Sequence, residues 1–287
     1  MLRKQVKQKA KELLGGLWGR AMALLLALGA VSVFFSLLEQ TIASLTGLFT
    51  LEQLFTPLFL YGTVTISFWP FFFAMLLLVG GLFLSFLFKT PLFQGNISWY
   101  YDLVSGEISP LKKAFFGYAS LKAWLKILAV YFLLFVKVTL WNILFLLPAV
   151  MVYFSYCILV AFQAAAWQCL LLFILSVGLA LIGLIVSLIV CYRYFLVPYI
   201  LADDPCVHIK IAFKSSVRIM KGKKSELFSL DVSFLPYYFL SVFIVPMLWT
   251  LPYINTTKAL YAKKYILNYQ LEVLAKKQSN TNENTEI

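Results

Sequence analysis

The sequence predicts an all-α, polytopic transmembrane helix bundle with basic amphipathic surface helices. Three observations carry this reading. Of the 287 residues, 62% are hydrophobic and 13% are charged, against roughly 45–50% and about 25% in soluble domains. Leu, Phe, Val and Ile run in blocks long enough for the ~20 residues that a helical crossing needs. Lys and Arg gather beside those blocks. The apolar runs are continuous rather than alternating, which argues against a β-barrel. One bundle accounts for the length, so residues 1–277 read as a single integral membrane domain. The tail from Gln278, QSNTNENTEI, is expected to be disordered.

The formal charge is +12, from 24 Lys and Arg against 12 Asp and Glu. In a soluble chain such a balance suggests nucleic acid. Here the bases flank apolar segments, so the expected partners are the lipid bilayer and its anionic headgroups, with other membrane proteins beside them. Cys157, Cys169, Cys191 and Cys206 form no CxxC, and with a single His no zinc set is available. No cofactor or metal is expected.

In MLRKQVKQKAKELL, Leu2, Val6, Ala10 and Leu13 share one helical face, and Arg3, Lys4, Lys7 and Lys11 cover much of the rest. This pattern predicts a short basic helix on a cytoplasmic membrane surface. Gly15 and Gly16 end it. The first crossing is expected at about Leu17 to Leu38, uncleaved, with the N-terminus inside. Residues 39–62 carry Glu39 and Glu52 and no Lys or Arg, which marks an external loop. A second crossing is expected at about Thr63 to Phe88, ended by Lys89 and Pro91. Residues 89–123, punctuated by Gly95, Gly106 and Pro110, are expected to form an internal connection of short surface helices.

The block from Trp124 to Ala202 starts and finishes beside internal bases, so an even number of crossings is needed. Two long helices are expected, about 124–155 and 167–197, with an outer turn near Phe162 to Trp167. Next, Asp204 as N-cap and Pro205 at the first helical position predict a helix start. Lys210, Lys214, Arg218 and Lys221 then form a headgroup-facing basic stripe, with Ile209, Ala212, Phe213, Val217 and Met220 on the other side. Gly222 is the expected stop. The last apolar run, Leu227 to Ile254, reads as a tight hairpin turning near Val245-Pro246. That gives six crossings with both termini in the cytoplasm. Five crossings, with this run as one span, is the alternative.

The segments KQKAKELLGGLWGRA, YRYFLVPYILADDP, KSSVRIMKGKKSELFSLDVSF and LPYINTTKALYAKKY occur in that order and span most of the chain. As a set they resemble a family of integral membrane proteins of Gram-positive bacteria catalogued as a domain of unknown function. The resemblance implies a helical multi-pass fold in a cell membrane. It implies no particular activity, substrate or cofactor.

Three charges fall within apolar stretches: Lys137, Arg193 and Asp231. Charge inside a membrane segment is costly and marks either a polar path or a structural pair. Arg193 and Asp231 are expected to pair, on helices joined by the basic surface helix. Pro198-Tyr199 and Pro252-Tyr253 read as interfacial kinks. Asp203, Asp204 and His208 are too few for a metal, and helix capping explains the carboxylates. No GxSxG, HExxH or P-loop is present, and the single His lies outside the apolar blocks, so no enzyme is expected. Two functions remain. One is an accessory or organising protein of the cell membrane that binds membrane partners or anionic lipids. The alternative is a small solute transporter or channel. Convergence of Lys137, Arg193 and Asp231 on a wet cavity would favour the second.

Overall fold

Helices long and apolar enough to cross a bilayer stand on a packed layer of less apolar helices in the computed structural model. It describes residues 3–46, 68–163 and 165–283. The helices are α1 (Arg3–Leu14), α2 (Trp18–Thr46), α3 (Phe68–Ser105), α4 (Leu121–Ala161), α5 (Ala166–Cys191), α6 (Val197–Asp203), α7 (Ile209–Ile219), α8 (Lys224–Val232), α9 (Leu235–Leu240) and α10 (Ile244–Glu283). Three-ten turns at Leu111–Tyr118 and Tyr192–Tyr194 join α3 to α4 and α5 to α6. Among the described residues, four helical stretches have crossing length and apolarity: Trp18–Leu45, Met75–Ser105, Leu121–Ala161 and Ala166–Asp203. Of the expected external loop, positions 47–62 lie outside the described residues, as do 63–67 of the second crossing.

The long block resolves as expected, into α4 and α5 with a turn at Phe162 and Gln163. Without a hydrophobic force between helices in lipid, small and polar residues hold such pairs. Ser176, Gly183 and Ser187 fall on one face of α5, buried against α4. A Cβ on Gly183 would stand 2.5 Å from the Phe145 carbonyl oxygen, so only glycine allows this approach. The Ser187 hydroxyl donates to Asn142 Oδ1 at 2.7 Å.

The last apolar run does not form the expected hairpin. It is divided among α8, of nine residues, α9, of six, and the start of α10. Nine residues span about 14 Å, too short for ~30 Å of hydrocarbon. The described residues therefore supply four crossing-length helices where six, or five, were expected. The physical reason is that α8 is held in the layer by polar bonds. Lys7 Nζ donates to the Ser233 carbonyl at 3.1 Å and sits 4.1 Å over the Phe234 ring. A cation beside the last carbonyls of a helix is favoured by the helix dipole. Burial, then the fields of Arg3 and Lys11, push the Lys7 pKa down. α10 begins at Ile244 and continues to Glu283 through Lys258, Lys263 and Lys264; 284–287 lie outside the described residues.

α3 also departs from its expected bounds. It was expected to stop at Lys89 and Pro91, but it runs on to Ser105. Proline removes the N–H that would reach the Leu87 carbonyl and crowds the turn before it, and the two carbonyls flanking Leu87 take side-chain donors. The Thr90 hydroxyl donates to the Phe86 carbonyl at 2.6 Å, and the Tyr118 hydroxyl donates to that of Phe88. Beyond the proline, Gln94, Gly95, Asn96 and Ser98 are buried, and Gly95 admits the three-ten turn. A Cβ on Gly95 would fall 1.8 Å from the Ala114 carbonyl oxygen. Packing against this turn keeps 89–105 helical where local signals favour a break.

The layer is therefore a core in its own right. Leu14, Trp99, Leu196, Met220, Phe234 and Tyr261 are almost fully enclosed in one apolar cluster. The amphipathic helices α1 and α7 use their apolar faces here. Val6, Ala10 and Leu14 of α1 are buried, with α10 the main neighbour, and Ala212, Phe213 and Ile219 of α7 are buried too. Both faces were expected against lipid, and protein covers them instead. α7 also starts later than expected, at Ile209 with His208 as its N-cap. Asp204 instead caps a turn, accepting from the Cys206 N–H at 2.8 Å. Gly222 has a φ of +80°, the left-handed conformation expected of a stop.

Candidate functional site: the charged seam beneath the membrane helices

The charges singled out in the sequence sit where the membrane-length helices meet the layer. Asp231 lies near the C-terminus of α8, where the helix dipole disfavours an anion. Three donors offset this. Tyr192 donates to Oδ2 at 2.6 Å, Tyr238 donates to Oδ1 at 3.1 Å, and Lys258 Nζ lies 3.0 Å from Oδ1. Lys258 also sits 5.7 Å over the Tyr238 ring. Burial lowers the Lys258 pKa, but the Asp231 carboxylate and the Tyr238 hydroxyl outweigh it, and the net direction is up. The cluster ties the end of α5 to α8, α9 and α10.

The expected pair of Arg193 with Asp231 does not form. Lys258 holds the carboxylate, and Arg193 turns to α4, its guanidinium 5.0 Å over the Trp141 ring. Arg193 and Tyr192 are neighbours within a three-ten turn, so their side chains leave in different directions. Tyr192 takes the side of Asp231. The Arg193 Nε is buried without a hydrogen-bond partner. Lys137 stands near the same aromatic group, 5.9 Å over Tyr194 and 5.8 Å over Phe213. Phe213 belongs to α7, and Ile127, Leu128 and Val130 of α4 are buried. The first turns of α4 therefore belong to the layer, and Lys137 marks its upper edge.

Below the seam, a polar cavity of about 300 Å³ opens between α3, the first three-ten turn and the end of α6. Asp102 pairs there with Lys113 and accepts from Ser109. Tyr101 donates to Asp203 at 2.9 Å. Lys263 donates to Ser105. Each of these charges is answered locally. Glu226 accepts from Lys264 at 3.1 Å. Burial would raise the Glu226 pKa, but Lys264 and the adjacent Tyr265 reverse the direction to a net lowering. Above the seam, between α2, α3 and α4, an apolar cavity of about 810 Å³ faces outward. Among the described residues no group of three His, Cys, Asp or Glu could hold a metal ion.

Lys210, Lys214, Arg218 and Lys221 are all exposed. Arg218 donates to the Tyr269 hydroxyl at 3.0 Å. The stripe is thus an outward basic face fixed by the buried side of α7. Sequence reasoning missed Lys258, Tyr192 and Tyr238 as partners of Asp231. The available signal was Lys258 itself, a cation four residues beyond an apolar run.

These features define an all-helical protein with four membrane-length helices on a polar, tyrosine-rich layer. Residues 1–268 match the DUF975 family, described as a protein of unknown function, and the chain belongs to that family. No curated protein and no solved structure matches the chain.

Proposed function

We propose that this is an accessory protein of the cell membrane that gathers anionic lipids, and membrane proteins beside them, at its basic layer. The observation that carries the reading is the fate of the three charges that fall within apolar stretches of the sequence. Asp231 is held by Lys258 and two tyrosines, while Arg193 and Lys137 rest on aromatic rings. None of the three lines the large cavity. A solute path would need such costly groups to converge on water.

The charge distribution supports the orientation. Residues 21–88 and 138–192 contain no Lys or Arg. With four crossings, every Lys and Arg falls on the side of the layer or at its edge. By the positive-inside rule that side is the cytoplasm, and both termini lie there. The reading involves no catalytic step.

The test is a mild-detergent pull-down of the full chain from its native membrane, with co-purifying lipids and proteins quantified. Each exposed base near an anionic surface contributes about 1 kcal/mol. Reversing Lys210, Lys214, Arg218 and Lys221 to Glu is expected to remove most of the anionic lipid enrichment. Unchanged enrichment would overturn the reading. So would solute flux in proteoliposomes that Lys137→Ala and Asp231→Asn abolish, which would establish the transporter alternative.

A further inference from the structure

The apolar cavity above the seam has the form of a receptacle for one lipid. It lies between α2, α3 and α4, with a volume of about 810 Å³, within the ~300–1,000 Å³ of small-molecule and cofactor sites. Its walls are mostly hydrocarbon, from Leu28, Leu82, Phe86 and Leu134, with Ser32 of α2 and Ser85 of α3 on facing sides. Its floor is polar and already ordered. Tyr131 donates to Gln94 Oε1 at 2.9 Å, and Gln94 Nε2 donates to the Pro198 carbonyl at 2.9 Å. Lys89 also lines the cavity, and no carboxylate does. Among the described residues Lys89 has no ion pair or hydrogen bond.

An apolar trough ending beside a cation with no partner among the described residues matches one chemistry, an acyl chain joined to an anion. We infer that the groove binds a single anionic glycerophospholipid, its chain between α3 and α4 and its phosphate on Lys89. A second copy of this chain is a poorer occupant. Lipid tails compete equally for an apolar wall, and Glu39 is the only acid on the described α2, on α5, or on α3 up to Lys89. Another copy's apolar helix would leave Lys89 covered and unpaired, which costs free energy. The site is separate from the α7 stripe, so it stands or falls independently of the enrichment proposed above.

Native mass spectrometry of the delipidated full chain, titrated with phosphatidylglycerol and with phosphatidylcholine, tests this. The expected result is one tightly held phosphatidylglycerol per chain, with phosphatidylcholine at least about tenfold weaker. Lys89→Gln is expected to weaken phosphatidylglycerol about tenfold, the scale of one charge-assisted hydrogen bond, and Lys89→Arg to preserve it. Ser85→Trp, which fills the groove, is expected to abolish retention. Ser32→Phe blocks it from the opposite wall if Ser85→Trp lowers the melting temperature. The quadruple stripe variant is expected to keep the bound lipid. Equal binding of the two lipids, or wild-type affinity in Lys89→Gln or in the filled groove, would overturn the inference. A wild-type dimer that Ser85→Trp dissociates would also overturn it, assigning the groove to a second copy.

Discussion

Asp231→Ala should be among the most damaging single changes in the protein. It strands three donors at once: the Tyr192 and Tyr238 hydroxyls and the Lys258 ammonium. Breaking a fully buried ion pair costs roughly 3–5 kcal/mol. Here the side chains of Lys258 and Asp231 are 24% and 19% exposed, so water reaches part of the pair. We therefore expect a loss of about 2–3 kcal/mol, below that range. The sharper form is a double-mutant cycle with Asp231→Asn and Lys258→Gln, read by reversible SDS titration in mixed micelles. Contacting residues couple by about 0.5–3 kcal/mol, and distant ones add to within about 0.3–0.5. The cycle with Lys258 should show coupling of about 1–2 kcal/mol, and the matching cycle with Arg193→Gln should be additive. Strong coupling to Arg193 with none to Lys258 would refute the reasoning and restore the pair suggested by sequence.

Further outcomes follow from the packing. Gly95→Ala places a methyl group on the Ala114 carbonyl and should cost about 3 kcal/mol or more, because backbone must move. Gly19→Ala has nothing within 4 Å and should not lower the melting temperature; equal effects of the two would contradict the account. Ser187→Ala removes the donor to Asn142 and should cost about 0.6–2 kcal/mol between membrane helices, measured by the same titration. The Glu226 pKa is lowered from 4.5, so its contribution is present above that value and is lost as pH falls through the depressed folded value. The Lys258 pKa is raised from 10.5, so its contribution is full below that value and is lost as pH rises through the higher folded one. Thermal scans against pH should show both losses, with Glu226→Gln removing the acid limb and Lys258→Gln the alkaline one.

How far the sequence carried the fold depended on which force decided each element. α4 and α5 were legible in number and order, with their C-terminal ends six residues off (155 against Ala161 and 197 against Cys191), because apolar length and flanking charge alone define a helical hairpin of this length. The amphipathic faces of α1 and α7 were legible as faces, but not their partners. Periodicity says that Val6, Ala10 and Phe213 are covered, and lipid or protein can cover them equally well. α3 went wrong at Pro91 because the signals for ending a helix are local. The hydroxyls of Thr90 and Tyr118 that carry it onward come from neighbours, one of them distant in sequence. The last apolar run failed similarly, since Lys7 and Lys258 fix α8 and Asp231 from remote segments. At the seam, all three charges were found from their cost in an apolar setting. Their partners were not, because choosing Lys258 over Arg193 is a matter of direction across a three-ten turn.

The proposed function rests on a one-sided architecture: four crossings, with the whole layer and both termini in the cytoplasm. Labelling with a membrane-impermeant thiol reagent on intact, right-side-out cells tests it directly. In a cysteine-free background, Gln163→Cys at the outer turn should label without permeabilisation. The native Cys206 restored alone, and Asn268→Cys on α10, should label only after permeabilisation. External labelling at position 268 would put α10 across the membrane and contradict the account.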